Sequence, residues 1–77
     1  MCCLPELSTG ESGTVERVLG PDALVQFWEN HGIVQGARAR VERAAPLGDP
    51  TIYRVDEQLI AIRREDALQI LVIREKA

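Results

Sequence analysis

Cys2 and Cys3, His31, Ser8 and Ser12, and the acid pairs Asp56-Glu57 and Glu65-Asp66 are the side chains of this 77-residue sequence whose types could do chemistry. Adjacent cysteines rarely bond to each other, because the ring that results strains the backbone. A disulfide scaffold is thereby excluded, in keeping with a reducing compartment. The functional options for such a pair are metal capture, a redox handle or S-palmitoylation. No further ligands stand at a recognisable metal-site spacing, so the sequence reads Cys2 and Cys3 as a frayed, silent terminus. His31 is the single histidine. Near the end of a helix it reads as a favourable charge at the C-terminal dipole rather than as a ligand.

Catalysis has little to draw on. The two serines, Ser8 and Ser12, precede the first strand, and no second histidine is available for a relay. Gly10 to Gly13 has the spacing Gly-x-x-Gly but neither the lysine nor the following helix of a phosphate-binding loop. Adjacent carboxylates such as Asp56-Glu57 and Glu65-Asp66 point in different directions, which suits surface turns and helix starts better than general acid-base work. A chain of this length also has difficulty enclosing a substrate pocket. The sequence reads as that of a non-enzyme with no cofactor.

The elements that must position these residues are short. Residues 4–12 form a turn-rich lead-in, and Gly13 to Leu19, with β-branched Thr14, Val15 and Val18, form a first strand. Gly20-Pro21-Asp22 opens a helix that runs to Asn30 or His31 and stops at Gly32. Its Leu24, Phe27 and Trp28 make one apolar face, read as core. Ile33 to Ala37 is a short apolar link ending in a turn glycine. Strands follow at 38–45, 51–56 and 59–64, with Asp56-Glu57-Gln58 as a hairpin connection. In the strand at 59–64, Ile60 and Ile62 share one face and Leu59, Ala61 and Arg63 the other. Glu65 to Gln69 is one helical turn, and Leu71 to Arg74 a last strand. The expected fold is mainly β: a small antiparallel barrel with one helix inserted after the first strand and a helical turn before the last.

Between two of these strands lies Ala45-Pro46-Leu47-Gly48-Asp49-Pro50. Its prolines restrict φ and remove two donors, while Gly48 and Asp49 supply tight-turn chemistry. A connection this stiff presents a fixed surface. Pro46, Leu47, Gly48, Asp49 and Pro50 are therefore the candidate partner-binding residues, and no catalytic or metal-ligating residue is assigned.

Composition sets the outer limits. Seventy-seven residues make one domain, spanning 1–77, with a core worth only about 3–5 kcal/mol net. Three aromatic residues leave that core aliphatic. The apolar runs are too short to cross a bilayer and the N-terminus lacks a secretory pattern, so the expected location is cytoplasmic. A net charge of −3 argues against nucleic acid as a partner. The charge is uneven: residues 1–37 carry five acids and one base, and residues 38–77 carry eight bases and seven acids. Arg38, Arg40, Arg43, Arg54, Arg63 and Arg64 lie on or beside strand-like segments and read as solvated outer faces interleaved with acids.

Four segments together resemble a known family. These are Leu7…Gly10-Glu11-Ser12-Gly13-x-Val15-x-x-Val18; His31-Gly32-Ile33-Val34-x-Gly36; Ala45 to Pro50; and Ile60-Ala61-Ile62-Arg63-Arg64-Glu65-Asp66-Ala67-x-x-Ile70-x-Val72. Their order and spacing look like the ferrous iron transport protein A (FeoA) family across residues 6–73, a span that leaves out Cys2 and Cys3. The resemblance implies an SH3-like barrel. It also implies a small cytoplasmic accessory of bacterial ferrous iron uptake that docks on the cytosolic, GTPase-containing portion of the FeoB permease and reaches the membrane through that partner only. It assigns Gly32 and Gly36 to the corner after the helix, Ala45 to Pro50 to a proline-bounded loop, and Ile60, Ile62, Ala67, Ile70 and Val72 to the core. Gln35 stands where the family has a proline, which loosens that corner, and His31 stands where it has a leucine. The helix also lacks the family's frequent basic residues. Two other readings share the fold: a protein that handles ferrous iron directly, and a stand-alone relative of the SH3-like domain of metal-dependent repressors with another partner.

Overall fold

The computed structural model describes residues 1–75. In chain order it contains β1 (Cys2–Cys3), a 3₁₀ turn (Leu4–Glu6), β2 (Ser12–Val18), α1 (Asp22–Asn30), β3 (Arg38–Ala44), β4 (Thr51–Val55), β5 (Gln58–Ile62), α2 (Arg64–Ala67) and β6 (Ile70–Arg74). All the strand pairings are antiparallel. The strands form one sheet in the order β1-β6-β2-β3-β4-β5. Its ladder is open between β1 and β5. Register shifts between Val15 and Arg17 in β2 and between Val41 and Arg43 in β3 each insert an extra residue. Such bulges bend a strand and increase its twist, which curls a sheet around its inner face.

That inner face carries Val15, Ala39, Val41, Tyr53, Val55, Ile62, Ile70 and Val72, all buried. Alternation along the strands accounts for the pattern: in β3 Ala39 and Val41 point inward while Arg38 and Arg40 point to solvent. Burial of Ile60, Ile62, Ala67, Ile70 and Val72 agrees with their expected role, Ile60 being partly covered and the other four fully.

Helix α1 covers one end of the core. Ile33 N–H bonds to the Trp28 carbonyl at 2.9 Å and Gly32 N–H to the Glu29 carbonyl at 3.0 Å. This double closure needs a left-handed residue at the first position past the cap, which Gly32 supplies with φ +85°. The expected apolar face of α1 requires correction. Trp28 is buried (5% exposed) and Leu24 partly so, but Phe27 is 48% exposed. Leu24 and Trp28, four residues apart, point to the sheet. Phe27 lies off that line and packs edge-on against Trp28, ring centroids 5.0 Å apart. The corner at Gln35 is held by two backbone hydrogen bonds. Gly36 N–H reaches the Val15 carbonyl at 2.8 Å and Ala37 N–H the Val34 carbonyl at 3.0 Å.

The N-terminus differs most from expectation. Cys2 and Cys3 are not frayed: they pair with Val72 and Leu71 of β6 as an edge strand, with free thiols. The lead-in after them carries core residues, since Leu4 and Leu7 are buried. Its backbone is held by neighbours far along the chain. Gly10 N–H donates to the Val41 carbonyl at 2.8 Å, Val41 N–H to the Glu11 carbonyl at 3.0 Å, and the Arg74 guanidinium to the Glu6 carbonyl at 2.8 Å. These long-range bonds turn a turn-rich sequence into a floor for the core.

Candidate functional site: the Ala45–Pro50 loop and its groove

The loop joins β3 to β4, whose last and first residues, Ala44 and Thr51, face each other across the ladder. Ala45 N–H donates to the Pro50 carbonyl at 2.9 Å and Gly48 N–H to the Ala45 carbonyl at 2.7 Å. The second bond closes a four-residue turn with Pro46 in the position its fixed φ suits. Gly48 follows with φ +90°, where a Cβ would be strained. The Asp49–Pro50 peptide is cis.

Asp49 is tied to a different element. Its Oδ1 accepts the backbone N–H of Arg64 at 2.9 Å. Arg64 opens α2, and Arg63 before it provides no side-chain cap, so a residue fifteen positions upstream satisfies that free donor. Gly48, Asp49 and Pro50 take part in these hydrogen bonds and Pro46 holds the second position of the turn, whereas Leu47 is 96% exposed at its tip. Structure thus separates the candidates into a scaffold of Pro46, Gly48, Asp49 and Pro50 and one apolar side chain that the scaffold holds out.

Beside the loop is a groove of about 360 Å³ lined by Pro5, Leu7, Thr9, Val41, Tyr53 and Arg64 among others. Its inner wall is the lead-in, which sequence reasoning treated as connection; the apolar pair Leu4 and Leu7, three residues apart, was the available signal. Burial pushes the Tyr53 hydroxyl above its ordinary pKa, with a Thr51 hydrogen bond and the Arg64 charge pulling the other way. Tyr53 is therefore a neutral phenol near the groove.

The other chemistry-bearing groups are dispersed. Among the described residues, no three of His, Cys, Asp and Glu converge as metal ligands would. Ser12 is buried in β2 and Ser8 lies in the lead-in, where its N–H bonds the Glu11 carboxylate at 2.7 Å. His31 caps α1, its Nδ1 2.8 Å from the Phe27 carbonyl and its ring against the Phe27 ring at 4.5 Å. That places it at the helix C-terminus, as expected. The Cys3 thiol is pushed up by burial and by its hydrogen bond to Glu6, so it is less readily ionised than an ordinary cysteine. Among the described residues, no helix is long and apolar enough to cross a membrane.

Residues 2–74 match the FeoA domain family. The chain belongs to the FeoA family. The match begins at Cys2, so β1 is part of the domain rather than an appendage outside it. The Fe(2+) transport protein A/Fe(2+) transporter FeoB fusion protein of Porphyromonas gingivalis is 38% identical over 69 residues, or 90% of this chain. The chain spans only 8% of that protein's length. The solution structure of the FeoA protein from Chlorobium tepidum superposes with a TM-score of 0.87 at 35% identity, covering 94% of this chain and 69% of that one. Stenotrophomonas maltophilia FeoA, solved with zinc and described as a prokaryotic SH3 domain protein, superposes with a TM-score of 0.80 at 28% identity, covering 94% and 89%. The fold of this FeoA domain is SH3-like.

Proposed function

We propose that this FeoA domain is a non-catalytic docking module of bacterial ferrous iron uptake, acting in the cytoplasm on the cytosolic, GTPase-containing portion of the FeoB permease. One observation carries the reading: the Porphyromonas gingivalis relative joins a FeoA segment like this chain to FeoB in a single polypeptide. Covalent joining holds two modules at high effective concentration, which benefits partners that must meet. The geometry supports docking over chemistry. The cysteines, the serines and the one histidine sit on different elements, whereas the Ala45–Pro50 loop holds an apolar side chain in solvent on a hydrogen-bonded frame. A preorganised loop loses little conformational freedom when it binds.

In this reading Leu47 enters the partner, and Pro46, Gly48, Asp49 and Pro50 keep it there. Titrating isotope-labelled protein with the soluble cytosolic portion of FeoB tests both partner and surface. The amides of Leu47, Gly48 and Asp49 are expected to shift in a saturable way. Absence of any shift at concentrations near millimolar overturns the docking, and saturable shifts elsewhere overturn the assignment to this loop.

A further inference from the structure

Strand β5 ends the sheet, and its ladder runs to β4 alone. Val55 and Gln58 face each other across the two-residue turn Asp56–Glu57. In such a hairpin the residues flanking the turn are a hydrogen-bonded pair and bonding alternates from there. Gln58, Ile60 and Ile62 therefore bond to β4, and the N–H and C=O groups of Leu59 and Ala61 point to the free side. Among the described residues no other backbone group meets them. Proteins ordinarily blunt such an edge with a charge, a proline or a bulge. Gln58-Leu59-Ile60-Ala61-Ile62 has no charge and no proline, its pairing with β4 has no register shift, and Leu59 is 49% exposed.

The residues on either side of this bare edge are charged with opposite signs. Asp56 and Glu57 precede it and Arg63 and Arg64 follow it, all exposed. A strand that is acidic at one end, neutral in the middle and basic at the other is complementary to itself when turned end for end.

We infer that β5 pairs antiparallel with β5 of a second copy of this chain, about a two-fold axis at Ile60. Leu59 of each copy then faces Ala61 of the other, and these two pairs exchange the four backbone hydrogen bonds that the edge leaves unmade. Gln58 faces Ile62, and just beyond the strand ends Glu57 comes opposite Arg63. The exposed side chains of Leu59 and Ala61 join their copies in one apolar strip across the seam. Parallel pairing sets acid against acid and base against base, so the flanks also select the direction. Among the described residues neither Glu57 nor Arg63 has an ion pair within its own chain, so both are available. A five-residue strand is short, and its pairing buries far less than a permanent interface, so the dimer is a weak one, on the order of 0.1–1 mM in dissociation constant.

The test is sedimentation equilibrium and amide shift dilution of the full chain from about 0.02 to 1 mM, a range set to bracket that constant. The expected result is monomer–dimer exchange with concentration-dependent shifts centred on Leu59 and Ala61, weakened by added salt. Glu57→Arg and Arg63→Glu are each expected to weaken dimerisation about tenfold, because each sets two like-charge pairs in the dimer. The double exchange E57R/R63E restores it. Ala61→Pro removes an edge donor without touching the β4 ladder, and is expected to abolish association while heat unfolding stays cooperative. A strict monomer at 1 mM, or association that neither E57R nor A61P weakens, overturns the pairing. Single variants that the double exchange fails to rescue overturn the Glu57–Arg63 register.

Discussion

The Asp49 carboxylate and the backbone N–H of Arg64 meet at 2.9 Å, binding the β3–β4 loop to the first residue of α2. Asp49 reads in sequence as a turn former or a partner contact, and in the fold it is a cap supplied from a distance. Asp49→Ala leaves that donor without its acceptor and is expected to cost about 1 kcal/mol, as loss of a cap does. The unfolding midpoint should fall by roughly 4–8 °C, read by circular dichroism. Asp49→Asn keeps an acceptor and should lose less. Equal loss in both variants would mean that charge, not the hydrogen bond, is what matters there.

Leu47 separates stability from docking. At 96% exposure it has no packing to lose, so Leu47→Asp should change stability by less than about 0.5 kcal/mol. The same variant should abolish the loop's response to the cytosolic portion of FeoB. Retained binding by a fully folded Leu47→Asp protein would move the docking surface away from this loop.

Leu4 carries the opposite expectation. A side chain in a lead-in ordinarily tolerates change, but Leu4 is almost fully buried, on a 3₁₀ turn that packs against α2 and β6. Leu4→Ala is expected to cost about 2–5 kcal/mol in chemical denaturation. A core this small has little to spare, so loss of cooperative unfolding at ordinary temperature is within that range. A cost near zero would show that the N-terminus does not belong to the cooperative unit.

Three glutamates, Glu6 and Glu75 exposed and Glu42 partly buried, give the acid limb of stability. The backbone N–H of Cys3, 2.7 Å away, is the main cause that holds Glu6 below the usual carboxylate range. Hydrogen bonds from Arg54 and Arg38 do the same for Glu42 and Glu75. A lowered folded-state value means the folded protein resists protonation more than the unfolded chain does. The contribution is complete above the unfolded carboxylate range and is lost as pH falls through the lowered values. Stability should therefore decline below that range, and Glu75→Gln should flatten part of the decline. Because Glu6 and Glu75 are solvent-exposed, salt should flatten it further. An unchanged acid profile in Glu75→Gln would rule out the Arg38 pair as a source.

Much of the fold was legible because its signals are local. Pro21, Asp22 and Gly32 mark the ends of α1 within two residues, and alternation in 59–64 assigns the faces of β5. The order and spacing of the four motifs resemble the FeoA family independently of any tertiary contact. Phe27 was misread since helical spacing defines a stripe without saying where the sheet meets it, and the sheet meets Leu24 and Trp28.

Local sequence specifies the short-range choices: where the helix starts and stops, which residues of β5 share a face, and that Ala45–Pro50 must turn sharply. Backbone preferences and turn chemistry act over a few residues, so these choices survive without tertiary context. Only the fold decided that Cys2 and Cys3 become a strand, for their partners Val72 and Leu71 lie at the far end of the chain. It likewise decided that Leu4 and Leu7 line the core, and that Asp49 serves Arg64 while Leu47 stays in solvent. Each of these depends on which distant segments the curled sheet brings together, a relation that no local pattern encodes.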